Sequence, residues 1–177
     1  MHKKILKVLR TLKEKGYNVI PIVTDNVFYT DTRFGKSKDF IEEVETITEK
    51  KVVKTIVEAE PFGPKNLIDI LIIAPCTGNT LSKIANAITD NAVTMVAKSH
   101  LRSNKPVLIG VSSNDALGKN SENLGKLINA KNVFFIPFGQ DDFINKPNSL
   151  ISDWNLTEKA MAEAEKGKQI QPIIISY

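Results

Sequence analysis

The sequence predicts an α/β fold with a mostly parallel sheet, and three observations support this prediction. Residues 67–88 read as a strand, a tight polar loop and a helix. Residues 107–130 repeat the same order. Strand and helix patterns alternate along the chain without a linker, a repeat or a low-complexity segment, which is typical of a domain built from βα units. We therefore predict that residues 1–177 form a single domain.

The chain opens on an amphipathic helix over residues 2–15, and Gly16 suits its C-terminal end. A strand is expected next, over residues 18–24. Because Pro21 within it has no amide proton, this strand is expected at a sheet edge or at a bulge. The other elements predicted before residue 60 are an irregular segment over 25–36, a helix over 38–49 and a short strand within 51–58.

The organising strand is the apolar run Leu67–Ala74, interrupted only by Asp69 and ended by Pro75. A run of this length predicts a strand that is buried on both faces. Small polar residues follow, and then a helix with Leu81, Ile84, Ala85 and Ile88 on one face. The remaining predicted elements are a helix over 92–103, a strand over 107–114, a helix over 121–130, a strand over 132–138, a helix over 155–166 and a terminal strand over 169–177.

One feature of this order is unusual for a doubly wound domain. Such a domain normally opens on a strand whose following loop contacts a phosphate group, whereas this chain opens on a helix. Without a central strand, backbone groups in the core would be unpaired. We therefore expect that Met1 is internal to a longer natural chain, which supplies the first strand.

Composition narrows the functional classes. Apolar residues make up 42% of the chain and charged residues 25%, which is ordinary for a globular protein. No apolar run approaches the roughly 20 residues of a membrane helix. A single cysteine excludes a disulfide framework and favours a cytoplasmic setting. The net charge of +4 is dispersed, which disfavours nucleic-acid binding, and neither phosphate-binding glycine motifs nor metal-ligand spacings are present.

Small polar residues end three of the predicted strands, at 24–26, 75–80 and 112–115. The carboxyl ends of parallel strands and the amino ends of the following helices favour polar or anionic ligands. Three such ends in register would form a crevice for a phosphorylated, planar cofactor. The alternative is that these serine, threonine and asparagine residues only cap helices.

Isolated residues carry weaker signals. Cys76 has no histidine near it in sequence, so we interpret it as a small buried residue rather than a nucleophile. His100, between Lys98 and Arg102, is expected to be solvated or to lie at a helix end. Asp141 and Asp142 are adjacent, and loop solvation explains them better than a catalytic dyad. Arg33 suits capture of a carboxylate, although a surface charge is an equal alternative.

Several unusual motifs occur together and in order in this chain. They are APCTGNTLSKIANAITDN, KSHLRSNKPVLIGVSSNDALG and NVFFIPFGQDD…KPNS, preceded by TDTRFG and AEPFGPK. From about Gly16 onwards the chain thereby resembles the family of dipicolinate synthase B subunits, within the flavoprotein superfamily of cysteine decarboxylases and flavin prenyltransferases. The resemblance implies a flavodoxin-like, Rossmann-type three-layer sandwich that binds FMN, often as a homo-oligomer.

The resemblance also implies roles for individual residues. PCTGNT looks like the superfamily's PASANT motif, whose asparagine contacts flavin and substrate and matches Asn79. Ser113 and Asn114 look like the methionine–asparagine pair of its PAMN motif. Asn79 and Asn114 are thus the candidates for a catalytic role. The implied cofactor-binding residues are Thr24, Pro75, Thr77, Gly78, Asn79, Thr80, Ser112 and Ser113. The family's phosphate-gripping first loop has no counterpart in this sequence.

The implied reaction is the oxidation of dihydrodipicolinate to dipicolinate in the mother cell of a sporulating bacterium. Arg33, Arg102 and Asn114 are the implied substrate-binding residues, since two carboxylates must be held. A partner, the A subunit of dipicolinate synthase, is expected to carry NAD(P). Two alternatives stay open: another FMN-dependent decarboxylase or prenyltransferase, and a non-catalytic partner subunit.

Overall fold

The computed structural model describes residues 1–32 and 35–177. Helices surround a central sheet, as the α/β prediction requires. The helices are α1 (His2–Glu14), α2 (Asp25–Tyr29), α3 (Ser37–Thr48), α4 (Ile56–Ala59), α5 (Gly78–Ala85), α6 (Ala92–Arg102), α7 (Ser121–Ile128) and α8 (Thr157–Glu165). The strands are β1 (Leu71–Cys76), β2 (Val107–Ser113), β3 (Val133–Phe135), β4 (Phe138–Gly139) and β5 (Leu150–Ser152).

The central strand of the described sheet is β2. It pairs in parallel with β1 on one side and with β3 on the other. Beyond β3, the carboxyl end of β2 pairs with β5 in antiparallel orientation, and β5 pairs with β4. The sheet is therefore mostly parallel around β2, with a short antiparallel extension at the end where the strand's polar residues begin.

Consecutive apolar residues in the strands reflect burial on both faces of the sheet. Val107, Ile109 and Val111 of β2 pack with α5, α6 and α7, whereas Leu108 packs with α1 and α8 on the opposite face. Side chains alternate between faces along a strand, so both layers of helices draw their contacts from the same short run. This arrangement is the three-layer α/β sandwich predicted from the sequence.

The predicted strand over 18–24 is reduced to a single parallel bridge between Ile22 and Val53. The Val53 amide donates to Pro21 O, and the Val23 amide donates to Val53 O, both at 2.9 Å. Pro21 has no amide proton to extend this ladder. The predicted strand within 51–58 likewise contributes only Val53, because a capping box at Thr55 starts α4 shortly after the bridge.

The organising strand lies later in the sequence than its apolar run suggests. It begins at Leu71 rather than Leu67, whose side chain is exposed, and it continues through Pro75 to Cys76. The register against β2 shifts between Ile73 and Cys76, and an irregularity of this kind accommodates a proline within a strand. The following helix ends at Ala85, and Ile88, predicted on its inner face, is exposed.

Other boundaries differ from the predictions in four places. The segment 25–36 contains α2, with Asp25 in its first turn. The predicted strand over 132–138 is divided into β3 and β4, and β5 was not predicted. The predicted terminal strand forms one bridge, between Phe138 and Ile174. Within the described ranges, no helix is both long enough and apolar enough to cross a membrane.

Candidate functional site

Two of the predicted polar strand ends meet at Gly78. This residue opens α5, and a Cβ atom placed on it would lie 2.8 Å from Ser113 Oγ and 2.9 Å from Asn120 Nδ2. These separations are shorter than a normal contact, so a larger residue at this position would require the Ser113 and Asn120 side chains to move. The close packing brings the 77–80 turn, at the end of β1, against the 114–120 turn, at the end of β2.

The 77–80 turn forms the amino end of a helix. Thr77 is the N-cap of α5, and its hydroxyl accepts the Thr80 amide at 3.4 Å. Thr77 and Asn79 are exposed, while Gly78 and Thr80 are half-buried. The first amide groups of a helix lack intrahelical acceptors and carry the positive end of its dipole. This turn therefore presents hydrogen-bond donors and a hydroxyl to a ligand.

Asp115 organises the 114–120 turn. One carboxylate oxygen accepts the Lys119 amide at 3.2 Å, and the other accepts Asn120 Nδ2 at 3.0 Å. The Asp115 amide donates to Ser113 Oγ at 3.2 Å. A Cβ on Gly118 would lie 2.1 Å from the carboxylate, so the bend also depends on glycine. Exposed Asn114 lies between Ser113, whose hydroxyl approaches Gly78, and Asp115.

The third segment at the site is the 140–149 loop, which was not predicted as part of it. The Leu117 amide donates to Asn148 O at 3.0 Å, which joins this loop to the 114–120 turn. Buried Ser152 follows the loop and accepts the Val111 amide at 2.8 Å. In the sequence, only the position of this loop could have indicated its place at the site, because it directly precedes β5, the strand that pairs with the end of β2.

The structure describes two of the three remaining predicted site residues, Thr24 and Arg102. Thr24 precedes α2, and among the described contacts its side chain makes no hydrogen bond to either turn. Arg102 is exposed in the last turn of α6, beside the amino end of β2. At about 3.3 Å per residue, the length of β2 separates it from Asn114 by roughly 20 Å within one chain. Arg33 lies outside the described residues.

Cys76 is fully buried at the base of the site. Burial raises the pKa of its thiol to about 12, because a thiolate would lose its hydration there. The thiol is therefore protonated at neutral pH, and it belongs to the same apolar cluster as Leu81. This agrees with the interpretation of Cys76 as a structural residue.

Of the two alternatives predicted for His100, a solvated side chain or a place at a helix end, the structure supports the helix end. It lies in the last turn of α6 and is only 3% exposed.

Asp141 and Asp142 make separate loop contacts, to the Ser149 hydroxyl and to the Asn145 amide respectively, which agrees with their interpretation as loop residues.

Acidification is expected to destabilise the protein through His100. Burial, followed by the charge of Lys105, lowers its pKa below the ordinary 6.5. The unfolded state then binds a proton near pH 6.5 that the native state resists, so the free energy of unfolding falls as pH drops below about 6.5. Thermal unfolding at pH 7.5 and 5.5 tests this, with the variant His100→Gln losing less stability on acidification than the wild type. An equal loss in both proteins would contradict the assignment.

The whole chain was compared with known families and structures. A model of the flavoprotein family matches residues 2–176. The B subunit of dipicolinate synthase from Bacillus subtilis (strain 168) is 44% identical over 174 residues, which cover 98% of this chain and 87% of that protein.

Solved structures of related proteins are also similar to this chain. The crystal structure of the dipicolinate synthase B subunit from Bacillus halodurans C superimposes with a TM-score of 0.91 and 46% identity, covering 99% of this chain and 90% of that one. The FMN-dependent cysteine decarboxylase SpaF superimposes with a TM-score of 0.65 at 17% identity, covering 94% of this chain and 90% of that one, and this likeness concerns the fold alone.

Proposed function

Because this chain belongs to the flavoprotein family, we propose that it is the flavin-binding B subunit of a dipicolinate synthase. The observation that carries the proposal is the meeting of the two polar turns at Gly78, on a chain that is 44% identical to such a B subunit over nearly its whole length. In this proposal the protein takes part in oxidising dihydrodipicolinate to dipicolinate.

The residues at the two turns fit a flavin. Exposed Thr77, Asn79 and Asn114 offer hydroxyl and carboxamide groups, which can donate to and accept from the polar edge of an isoalloxazine ring. Pro75 and the half-buried pair Ser112 and Ser113 complete the wall beneath them. When bound, FMN would supply the acceptor for the hydride that leaves the dihydropyridine ring.

The chain's own residues have distinct proposed roles. Asn79, in the first turn of α5, contacts both flavin and substrate, and Asn114 contacts the substrate from the facing turn. Gly78 admits the close approach of these turns and, like its neighbours in the 77–80 turn, is a proposed cofactor-binding residue. Thr77 and Thr80 orient the first helical turn through their mutual hydrogen bonds. Aromatisation favours loss of the hydride, and the ring proton that is lost with it would pass to water at these exposed turns, so we assign no residue as acid or base.

Arg33 and Arg102 were both predicted to bind substrate, and the structure describes the position of Arg102 alone. Arg33, which lies outside the described residues, remains a proposed carboxylate clamp. For Arg102 to act as one, a second copy of the chain would have to bring it to this site, because its own turns are at the other end of β2. Thr24 remains a proposed flavin contact at the end of the Pro21–Val23 segment.

Sequence identity favours this function over another reaction of the same superfamily. The identity to dipicolinate synthase B subunits is 44% and 46%, against 17% to a cysteine decarboxylase of similar fold. We further propose that the chain acts with the A subunit of that enzyme, which binds NAD(P), as a homo-oligomer within a larger assembly, in the cytoplasm of the sporulating mother cell. Phe143 and Ile144, exposed on the 140–149 loop, offer apolar surface for contact with another subunit of this assembly.

The test is a fluorescence titration of FMN with the natural full-length polypeptide. Saturable quenching is expected, and Asn79→Ala should weaken binding about tenfold, which corresponds to the loss of one hydrogen bond. The matched control is Asn129→Ala, since Asn129 is an exposed asparagine at the far end of α7.

Dipicolinate formation is then assayed with the A subunit present. FMN binding without any dipicolinate would favour a decarboxylase or prenyltransferase, and activity of flavin-free protein would favour the non-catalytic role.

A further inference from the structure

A chain of hydrogen bonds runs from the 114–120 turn along the start of α7 to the C-terminal end of α5. Asp115 accepts from Asn120 Nδ2, Asn120 Oδ1 accepts from Asn123 Nδ2, and Asn123 Oδ1 accepts from Asn86 Nδ2, each at 3.0 Å. Asn86 is the C-cap of α5, and it also donates to Ser82 O at 2.8 Å. The chain therefore ties the 114–120 turn to the end of α5 that lies farther from the site.

Asn120 also touches the near end of α5. Its Nδ2 lies 2.9 Å from the position that a Cβ on Gly78 would take, so the carboxamide packs directly against the first residue of the helix. The same side chain is half-buried and uses both its donor and its acceptor in the hydrogen-bond chain. Asn120 thus packs against the first residue of α5, is linked to the far end of that helix through Asn123, and holds the bend of the 114–120 turn through Asp115.

We propose that Asn120 is a positioning residue of the flavin site, one that fixes the separation between Asn79 and Asn114. This inference rests on the proposed function, because the separation matters only if both turns contact the same ligands. Asn79 follows Gly78 directly, and Asn114 directly precedes Asp115. A shift of the Asn120 carboxamide would therefore reach both candidate asparagines through one intervening residue on each side.

The chemistry of the pair allows a substitution that separates positioning from general structural damage. In Asn120→Asp, an acceptor-only carboxylate faces the carboxylate of Asp115, so the donor is lost and like charges meet. The double variant Asp115→Asn with Asn120→Asp restores a donor and an acceptor at reversed positions. The other bonds persist, because the carboxamide introduced at position 115 still offers an oxygen to the Lys119 amide, and the carboxylate introduced at position 120 still accepts from Asn123.

The experiment measures FMN affinity and amide hydrogen exchange in the natural full-length polypeptide. We expect Asn120→Asp to weaken FMN binding about tenfold and the double variant to return it to within about threefold of the wild type, since one hydrogen bond is lost and then restored. Exchange should rise in both the 77–80 and 114–120 turns of Asn120→Asp without flavin, and fall again in the double variant. Asn129→Ala, whose side chain donates to Gly125 O outside the chain of bonds, is the control expected to change neither.

The outcomes separate this inference from the function on which it rests. If the wild type does not bind FMN but exchange in both turns rises and is rescued, the flavin proposal falls and the coupling of the turns is supported. If FMN binds and Asn120→Asp leaves its affinity unchanged, or if exchange rises in the 114–120 turn alone, the positioning role is overturned. Failure of the double variant to restore affinity would also overturn it.

Discussion

Replacing Gly110 by alanine is expected to lower the free energy of unfolding by about 2 kcal/mol, since overpacking a core typically costs roughly 1–3 kcal/mol. A Cβ on Gly110 would lie 2.5 Å from Trp154 Cζ3 and 3.1 Å from Ile136 Cδ1. Gly110 is in the middle of β2, and Trp154 is a rigid, buried ring, so the strand or the ring must move. Alanine regains about 0.5–1 kcal/mol of backbone entropy, which is too little to offset that strain.

Gly125→Ala is the matched control, because the substitution is the same and the expected sign is opposite. Gly125 lies within α7, and a Cβ there would meet nothing within 4 Å. Alanine should therefore stabilise the protein by roughly 0.5–1 kcal/mol through helix propensity. Urea unfolding of both variants measures the difference, and similar free energies for the two would contradict the packing at Gly110.

The apolar pattern was sufficient to predict the central layer. Val107, Leu108 and Ile109 are consecutive apolar residues, and both faces of β2 are covered by helices as that run indicates. The pattern could not locate the start of β1. Leu67 and Ile68 continue the run, yet Ile68 precedes the strand and its carbonyl accepts Lys105 Nζ at 2.6 Å, a contact from 37 residues away.

The local sequence pattern also could not predict the strand pairings of only one or two residues at the edges of the sheet. Phe138 pairs with Ile174, and it also opens the two-residue β4, so the apolar C-terminal segment forms one bridge rather than a strand. Pairings of one or two residues depend on where the partner segment lies and leave no periodicity in the sequence. The same reason explains why the Ile22–Val53 bridge was predicted as two full strands.

The sequence predicted the exposed polar residues of the site, but it did not predict the residues that hold the two turns together. Polar residues after two strands located Asn79 and Asn114 at adjacent turns. Their convergence depends on a missing side chain at Gly78 and on the Asp115–Asn120 hydrogen bond, neither of which has a distinctive spacing. The contribution of the 140–149 loop depends on tertiary contacts such as the one between its Asn148 carbonyl and the 114–120 turn.

Ser152→Ala is expected to destabilise the protein by about 3 kcal/mol, since each buried polar group left unpaired costs roughly 1–3 kcal/mol. The Ser152 hydroxyl accepts the Val111 amide at 2.8 Å and donates to Ile136 O at 3.0 Å. Val111 and Ile136 are fully buried, so water cannot easily replace the hydroxyl. This one side chain thereby joins β2 to the segment between β3 and β4.

Ser149→Ala is the control for this prediction. Ser149 is also buried, but among the described residues its hydroxyl donates only to the exposed carboxylate of Asp141, at 3.3 Å, so its loss should cost less than about 1 kcal/mol. Thermal unfolding and FMN titration are measured on both variants. Because Val111 directly precedes Ser112 and the site, Ser152→Ala should also weaken FMN binding at temperatures where the variant is still folded. A Ser152→Ala protein as stable as the wild type would show that the Val111 amide finds another acceptor, and that the end of β2 is held by its strand neighbours alone.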